Sequence, residues 1–344
     1  MSLKTQNAVV VVMASALWIL LVASRAPAFA QMTETVGGRA LGMGGAFVAV
    51  ANDSSATWWN PGALAAGPFV DVTFARTLME TGSRIPARRE RTLGLAMTTP
   101  PLGVSYWRFQ VTDVRPPDAT DPGSGIRQEE RAGVLIRSLT ASQVGVTLVQ
   151  TIGPGVHVGG TLKYVRGVVR TSSGEGPRPS GELLGDGDSL GGGEGHGEFD
   201  LDVGLLAVAG AIRLGALVRH LREPVFAASN GAMRLPRQGR VGIAVDTEAV
   251  GGQPLIVSLD ADVSRVSTAA GERRNLAFGA ERWIWNKRVG VRGGGRLNTL
   301  GRRERTATAG VSVAPRAGLS LEAYLARGGW DDDRGWGLGA RVSF

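Results

Sequence analysis

The chain has 344 residues, a formal net charge of +8, 51 glycines and no cysteine. The lack of cysteine excludes disulfide bonds, thiolate metal sites and a cysteine nucleophile, so stability has to come from backbone pairing and packing. Arginine and lysine residues are spread along the chain instead of forming one basic patch, which argues against a nucleic-acid partner.

Residues 1–30 have the pattern of a Sec-type signal peptide. A short basic start is followed by an apolar core at 8–23 and by a small-residue cleavage site at 28–30. Arg25 and Pro27 interrupt the apolar run before it reaches the roughly 20 residues that a membrane-spanning helix needs. We therefore predict that this segment directs export and is removed.

A stretch rich in glycine and small residues follows at 37–64. Its glycines allow tight folding and close approach to other surfaces, and Asn60-Pro61-Gly62 supplies a rigid turn. A phosphate-binding loop does not fit, because no Lys-Ser/Thr pair follows the glycines and Phe47 stands where a dinucleotide fingerprint needs a small residue. Such a segment keeps its shape only inside a larger structure.

The spacing Gly-Arg-Ala-x-Gly-Met-Gly-Gly-Ala-Phe, followed by Asn-Pro-Gly-Ala-Leu, resembles the N-terminal hatch of the FadL/TodX-like outer-membrane channels and their PorV/PorQ-like relatives. Gly62 before the alanine departs slightly from the family's Asn-Pro-Ala core. The resemblance implies a hatch at 31–68 inside a barrel lumen, below a hydrophobic ligand path in the FadL branch. The hatch residues that match or accompany the motif are Arg39, Gly42, Gly44, Gly45, Phe47, Asp53, Trp58, Trp59, Asn60 and Pro61.

From residue 69 onward, short β-prone segments with period-2 alternation are separated by turn residues. This pattern predicts an all-β fold, a transmembrane antiparallel β-barrel of about fourteen strands over 69–344, with both ends on the periplasmic side. The low-complexity link at 172–196 is interpreted as a mobile extracellular loop. Its acidic residues offer ligands for Ca²⁺, but their spacing matches neither an EF-hand nor a Gly-rich nonapeptide repeat.

One parity of these strands is apolar and the other is polar, as in the last strand, where Trp336 and Leu338 alternate with glycines and Arg341. Because a charge facing lipid is costly, we expect the charged parity to face the lumen. The strand at 271–285 changes phase near Glu281, which suggests a bulge. The expected luminal charges are Asp200, Asp202, Arg213, Arg219, Asp260, Asp262, Arg292, Arg296, Glu322 and Arg341. The C-terminal Phe344 looks like the aromatic signal that barrel-assembly machinery reads.

No enzyme site is predicted, and neither a cofactor nor a metal. The three histidines are His157, expected to face inward, His196, placed in the mobile loop, and His220, placed on the lipid-facing parity. No nucleophile or acid accompanies any of them in a recognisable motif.

The function hypothesis is a channel in the bacterial outer membrane for passive uptake of hydrophobic or amphipathic small molecules. Its expected ligand-contacting residues are Leu78, Met79, Phe226 and Met233. The alternative is a PorV-like docking barrel for secreted proteins that transports nothing small. The expected surroundings are outer-membrane lipid. The basic residues at 80–91 and 300–305 are either simply solvated, the favoured interpretation, or in contact with lipopolysaccharide or a protein partner.

Overall fold

The computed structural model describes residues 35–344 except 83, 117–132, 175–177, 229–230, 269–270, 302–303 and 330–333. The predicted signal peptide lies outside the described residues. Within them, no helix combines the length and the hydropathy that are needed to cross a bilayer.

The described chain consists mainly of β-strands. In chain order they are β1 (Asp71–Thr81), β2 (Ala87–Thr99), β3 (Leu102–Arg115), β4 (Val134–Gly153), β5 (Val156–Gly174), β6 (Gly195–Ala209), β7 (Ile212–Arg219), β8 (Val225–Ala228), β9 (Gly231–Arg234), β10 (Gln238–Asp246), β11 (Leu255–Asp262), β12 (Val266–Thr268), β13 (Gly271–Arg273), β14 (Asn275–Ile284), β15 (Val289–Asn298), β16 (Arg305–Arg316), β17 (Leu319–Gly328) and β18 (Arg334–Ser343).

Fourteen of these strands form one closed antiparallel barrel, in which β1 pairs with β2 on one side and with β18 on the other. The prediction of an all-β antiparallel barrel with about fourteen strands is confirmed. Two hairpins, β8–β9 and β12–β13, stand outside the barrel sheet on links between strands. The predicted strands at 252–267 and 271–285 were too long, since their outer parts form the β12–β13 hairpin.

Short turns join the strands at one end of the barrel, for example at 100–101 and 154–155, and longer links join them at the other end. We call these the short-turn end and the long-loop end. The helical elements are brief: α1 (Gly38–Gly42), α2 (Ala56–Trp59), a 3₁₀ turn (Pro61–Ala66), α3 (Ser180–Ser189) and a 3₁₀ turn (Glu248–Val250).

The two faces of the wall differ as the alternation predicts. Exposed apolar side chains cover the outside, among them Phe74, Leu95, Val144, Leu259 and Leu338. The hydrophobic core lies inside the barrel and is built from the N-terminal segment and the inward side chains of the wall. Because a closed sheet has no free edge and its outer face is apolar, the barrel can span a bilayer with every strand paired.

The expected phase change in strand β14 is wrong. Its register with β15 runs without a shift from Asn275 to Ile284, and Glu281 is buried on the inward parity. The apparent change came from Arg282, which lies on the outward parity, exposed near the short-turn end. A charge is tolerated there because the cost of a lipid-facing charge falls toward the membrane boundary.

The link at 172–196 is also more ordered than expected. It continues strand β5 and then forms α3, whose Leu183 and Leu184 are buried against Ala87, Val114 and Ile136 on the outside of the wall. His196, expected in a mobile loop, lies exposed in strand β6. Strand β4 has 20 residues, about twice what a barrel strand needs to cross a membrane, so β4, β5 and α3 form a raised rim at the long-loop end.

Candidate functional site

The lumen of the barrel is occupied by residues 35–66, which we call the hatch segment. Every residue from 35 to 64 is buried except Asn52, which is half-buried. Helix α1 packs against β15, β16 and β17. The 3₁₀ turn at Pro61–Ala66 packs against β4, β5 and β6, so the segment reaches opposite sides of the wall. Too short to form a core of its own, the segment is shaped by the barrel around it.

Charged side chains of the wall hold the backbone of the hatch segment. Asp260 accepts hydrogen bonds from the backbone N–H groups of Phe47 and Val48, both at 2.8 Å. Arg213 donates from Nε to the backbone oxygen of Ala49 at 2.9 Å. Because the hatch backbone makes little regular structure here, these buried bonds supply the partners that its polar groups need.

Two more charged residues of the wall form hydrogen bonds with the backbone of the hatch segment, further along that segment. Arg219 donates to the backbone oxygen of Trp58 at 2.8 Å, and its guanidinium lies 3.9 Å from the centre of the Trp58 ring. Asp71 accepts from the backbone N–H of Ser54 at 2.7 Å and pairs with Arg341 at 2.6 Å. The wall charges therefore serve as fixed hydrogen-bonding groups for the segment.

Arg39 is the main charged link from the hatch segment to the wall. Its guanidinium donates to Glu281 at 2.7 and 2.9 Å and pairs with Asp53 of the same segment at 3.1 Å. Glu281 also lies 3.3 Å from Arg292. Burial raises the pKa of Asp53, but the neighbouring Arg341 and Arg39 charges outweigh it and hold the pKa below its ordinary value.

The Asn60-Pro61-Gly62 turn is fixed against strands β5 and β6. The side chain of Asn60 donates to the backbone oxygens of Val48 at 2.8 Å and Leu205 at 2.9 Å, and accepts from the N–H of Gly62 at 3.0 Å. All three hydrogen bonds are buried, so Asn60 joins two parts of the hatch segment to the wall.

Glycines in the wall let the turn approach this closely. A Cβ atom at Gly159 would overlap the backbone of Pro61, and one at Gly204 would overlap Asn60 and lie 2.8 Å from Pro61. At the other side of the lumen, a Cβ at Gly44 would lie 2.6 Å from the backbone of Gly295. The hatch segment and the wall therefore meet backbone to backbone.

A buried polar cluster lies beside Trp58. Lys163 Nζ lies 2.7 Å from both carboxylate oxygens of Asp202 and 3.2 Å from Asp200, which His220 Nδ1 contacts at 2.7 Å. The ligand-type atoms of Asp200, Asp202 and His220 lie within 4.8 Å of one another, but the Lys163 ammonium already supplies the positive charge. His220 was expected to face lipid; this is wrong, because strand β7 ends at Arg219 and a positive φ of 56° turns His220 inward.

An apolar region fills the lumen between this cluster and the long-loop end. Trp58 packs on Phe109 with ring centres 4.7 Å apart, and Phe226 of strand β8 is fully buried against Gly167 in the wall. The inward apolar residues of this wall are Trp107, Phe109, Val111, Leu139, Ala141, Val165 and Val169.

The four expected ligand-contacting residues are not together. Met79 faces inward and Phe226 closes the apolar region, and both are buried. Leu78 lies on the outward parity of β1, so its placement in a ligand site was wrong: adjacent residues of a strand point to opposite faces. The side chain of Met233 lies outside the described residues.

A polar cavity adjoins the hatch segment on the opposite side of the lumen, beside Gly45 and Trp59. Its walls carry both signs of charge, with Arg240 paired to Asp262 at 2.6 Å and Arg273 paired to Glu304. Arg296 also lines it. The lumen therefore has an apolar side and a charged side, both next to the hatch segment.

The sequence-based site residues fall in these places. All ten expected luminal charges lie on the inward parity of their strands, and all ten hatch residues are buried. His157 also has the inward parity and contacts Thr151 at 2.9 Å, while Phe344 is exposed and pairs through its backbone with Val70.

Sequence reasoning missed several charged residues, among them Arg240 beside Gly45, and the glycines of the wall. Glu281 was hidden by the phase assigned to its strand, and Lys163 and Asp71 were not singled out. A useful signal was present, since glycines alternate with charges on inward positions, as in Gly290-Val291-Arg292-Gly293-Gly294.

A closed antiparallel barrel with an apolar exterior and an N-terminal segment in its lumen is a transmembrane β-barrel of the kind found in bacterial outer membranes. No family model matches the chain, and no curated protein matches it in sequence. Several solved structures, however, are similar to it in fold. The toluene transporter TbuX of Ralstonia pickettii is 14% identical, with a TM-score of 0.60 over 90% of this chain and 99% of that one.

Two further structures agree. A FadL homologue of Pseudomonas aeruginosa is 12% identical, with a TM-score of 0.57 over 91% of this chain and 99% of its own. The toluene transporter TodX of P. putida is 11% identical, with a TM-score of 0.56 over 90% and 99%. The fold of this chain is therefore that of the FadL/TodX-like channels, and the fold implied by the hatch motif is confirmed. TbuX and TodX are both described as toluene transporters.

Proposed function

We propose that the protein is a passive channel of the bacterial outer membrane that takes up a hydrophobic or amphipathic small molecule. Closed single-chain barrels with short periplasmic turns and longer extracellular loops are characteristic of that membrane, so the long-loop end faces outward. The likeness in fold to described toluene transporters supports this choice among the functions that barrels perform.

The observation that carries the proposal is the apolar region of the lumen. Elsewhere the inward wall carries many charged, hydroxylated and small residues, but β3, β4 and β5 together present an apolar surface that runs from Phe226 to Trp58. A water-filled pore for polar solutes would not need such a surface. An apolar compound would gain contact with it as soon as it left the outer loops.

Passage requires movement, because the apolar region is closed by Phe226 on the outer side and by the hatch segment below it. Phe226 lies on the separate β8–β9 hairpin, and Trp58 lies on the short helix α2. We infer that both side chains shift to admit the ligand. The neighbouring charged cavity suits the polar end of an amphipathic molecule.

The apolar surface can be tested by adding hydroxyl groups to it without changing its shape. Val165→Thr combined with Val169→Thr places two hydroxyls in the inward apolar region. The matched control, Val144→Thr combined with Val146→Thr, places them on the exposed outer face of β4. The assay measures the uptake of a toluene probe into liposomes that contain each protein, with protein-free liposomes as background.

We expect the inward pair to slow uptake roughly 30-fold, since each of the two unpaired hydroxyls costs about 1 kcal/mol in an apolar site. The outward pair should leave uptake unchanged. Equal uptake by both variants, or uptake by the unaltered protein no faster than background, would contradict the proposal.

A docking role for secreted proteins is the second candidate, favoured by the raised rim of β4, β5 and α3 at the long-loop end. Purification from solubilised membranes separates the two. A stoichiometric exported partner, lost when α3 is replaced by a short linker, would support docking, whereas uptake that survives this replacement would support the channel.

A further inference from the structure

Three arginines on the outside of the barrel form a row across neighbouring strands. Arg76 of β1 is opposite Leu93 of β2, which is opposite Arg108 of β3. Arg108 is opposite Ser142 of β4, which is opposite Arg166 of β5. Since adjacent strands lie about 4.8 Å apart, the arginines recur at intervals of roughly 10 Å on one face.

All three arginines are exposed and lie on the parity that faces the membrane. In the described part of the chain, no carboxylate forms an ion pair with any of them. Arg91, one step nearer the long-loop end, differs because it pairs with Asp188 of α3 at 2.9 Å. The row therefore presents uncompensated positive charge on a surface where such charge is costly within the hydrocarbon region.

An aromatic and apolar row lies immediately below, on the side of the short-turn end. It runs in register through Phe74, Leu95, Tyr106, Val144, Tyr164 and Phe199, all at least 40% exposed. Tyr and Phe at this height are typical of the boundary between hydrocarbon and headgroups. The arginine row lies two residues further along each strand than the aromatic row, on the side of the long-loop end. It is therefore at the level of the headgroups.

The neighbouring strand leaves room for these side chains. A Cβ atom at Gly197 would overlap the Tyr164 hydroxyl, and one at Gly195 would lie 2.6 Å from Nε of Arg166. The two glycines therefore form a shallow groove in which Tyr164 and Arg166 lie against the wall. Tyr164 also packs on Phe199, with ring centres 5.3 Å apart. Its hydroxyl lies beside Gly197, the residue opposite Arg166, so it points toward the arginine row.

We propose that this row, Arg76, Arg108 and Arg166 with the Ser142 hydroxyl between them, binds the phosphate groups of lipopolysaccharide in the outer leaflet. Guanidinium groups suit phosphate oxygens because they donate paired, charge-assisted hydrogen bonds. The acyl chains would lie on the aromatic row below. The inference rests on the outer-membrane location in the proposed function but not on transport.

The test replaces the row with Arg76→Gln, Arg108→Gln and Arg166→Gln together. The matched control replaces three exposed arginines at the short-turn end, Arg282, Arg288 and Arg316, each with Gln, so that both variants lose three charges. Binding of lipopolysaccharide, and of the same lipid with its phosphates removed, is titrated against each purified protein. Heat-modifiable migration on gels shows that each barrel is folded.

We expect the row variant to bind lipopolysaccharide roughly 100-fold more weakly, at about fivefold per charge near a lipid surface, while the control stays near the unaltered protein. The dephosphorylated lipid should bind all three proteins equally weakly. Arg→Lys replacements at the three row positions should keep most of the affinity, which separates lost charge from lost structure.

The inference is overturned if the row variant keeps its affinity, if the control loses as much, or if removing the phosphates changes nothing. Failure of the transport hypothesis gives a different result, since toluene uptake would then be absent while lipopolysaccharide still binds. If the chain is not found in outer membranes, the outer-membrane location is wrong, and this inference and the proposed function are both overturned.

Discussion

Arg39 and Glu281 are the residues on which the position of the hatch segment most depends. Their ion pair is fully buried, and Glu281 serves a second cation, Arg292, at the same time. Breaking a buried pair by removing one partner is more damaging than never having had it, because the other charge stays buried without compensation.

Glu281→Gln should therefore loosen the hatch segment. The amide keeps the shape of the side chain but removes the negative charge between two guanidinium groups, at a cost of about 3 kcal/mol. Hydrogen exchange at residues 37–60 should become faster, while the barrel strands stay protected. Glu248→Gln, which alters an exposed pair with Lys287, is the control and should change nothing. Unchanged protection in Glu281→Gln would show that the pair does not hold the segment.

A second prediction at the scale of a single side chain is that Asn60 holds the hatch segment against the wall. Asn60→Ala removes hydrogen bonds to the backbone oxygens of Val48 and Leu205 and leaves both buried without that partner, at about 1 to 3 kcal/mol each. We expect protease cleavage within the hatch segment of the folded barrel, detected by mass spectrometry. Gln150→Ala, at an exposed position, is the control. Resistance equal to that of the control would contradict the role of Asn60.

Among the elements, strands β5 and β6 are shaped for the turn that docks on them. Gly159 and Gly160 are neighbours in β5 but face opposite sides. A Cβ at Gly159 would overlap Pro61, whereas one at Gly160 would lie 3.6 Å from its nearest contact. Comparing alanine at position 159 with alanine at position 160 therefore separates the effect of contact with the hatch segment from the general effect of alanine in a strand.

Gly159→Ala should displace the Asn60 turn and open a path along the wall, because backbone atoms of Pro61 cannot move aside as a flexible side chain could. Overpacking of this kind costs about 1 to 3 kcal/mol. Single-channel recordings in planar bilayers should show frequent openings that are rare with Gly160→Ala. If both variants behave alike, close approach at Gly159 does not set the closure of the lumen.

Element prediction succeeded where one physical pattern decides the outcome. Alternation between lipid and lumen is strict over most strands, so their number and facing could be read from residues such as Asp260 and Phe278. It failed at α3, whose glycines at 181, 185 and 187 disfavour a helix in isolation. The wall stabilises that helix: a Cβ at Gly187 would overlap Thr112, so tertiary contact overrides local preference.

For the whole molecule, the sequence predicted the enclosure of residues 37–64 but not how the lumen is divided. The division into an apolar and a charged side depends on which strands become neighbours at one height, and only the register supplies that. Trp107, Leu139 and Val165 are far apart in the chain, and they share a surface because β3, β4 and β5 pair in sequence. The exterior arginine row arises in the same way.

Removing the hatch segment tests the assembly as a whole. Deletion of residues 36–64 would leave a closed wall, since every barrel strand keeps both neighbours and the deleted part supplies no strand. The lumen would then be lined by Asp260, Glu281 and Arg292 with water in place of their backbone partners, which suits an open aqueous pore. We expect a large, steady conductance in planar bilayers and a gain in liposome uptake of both toluene and small polar solutes. The unaltered protein should pass only the apolar probe. A deletion variant that migrates as a folded barrel yet shows neither conductance nor faster uptake would mean that another part of the chain closes the lumen, and the hatch role would have to be abandoned.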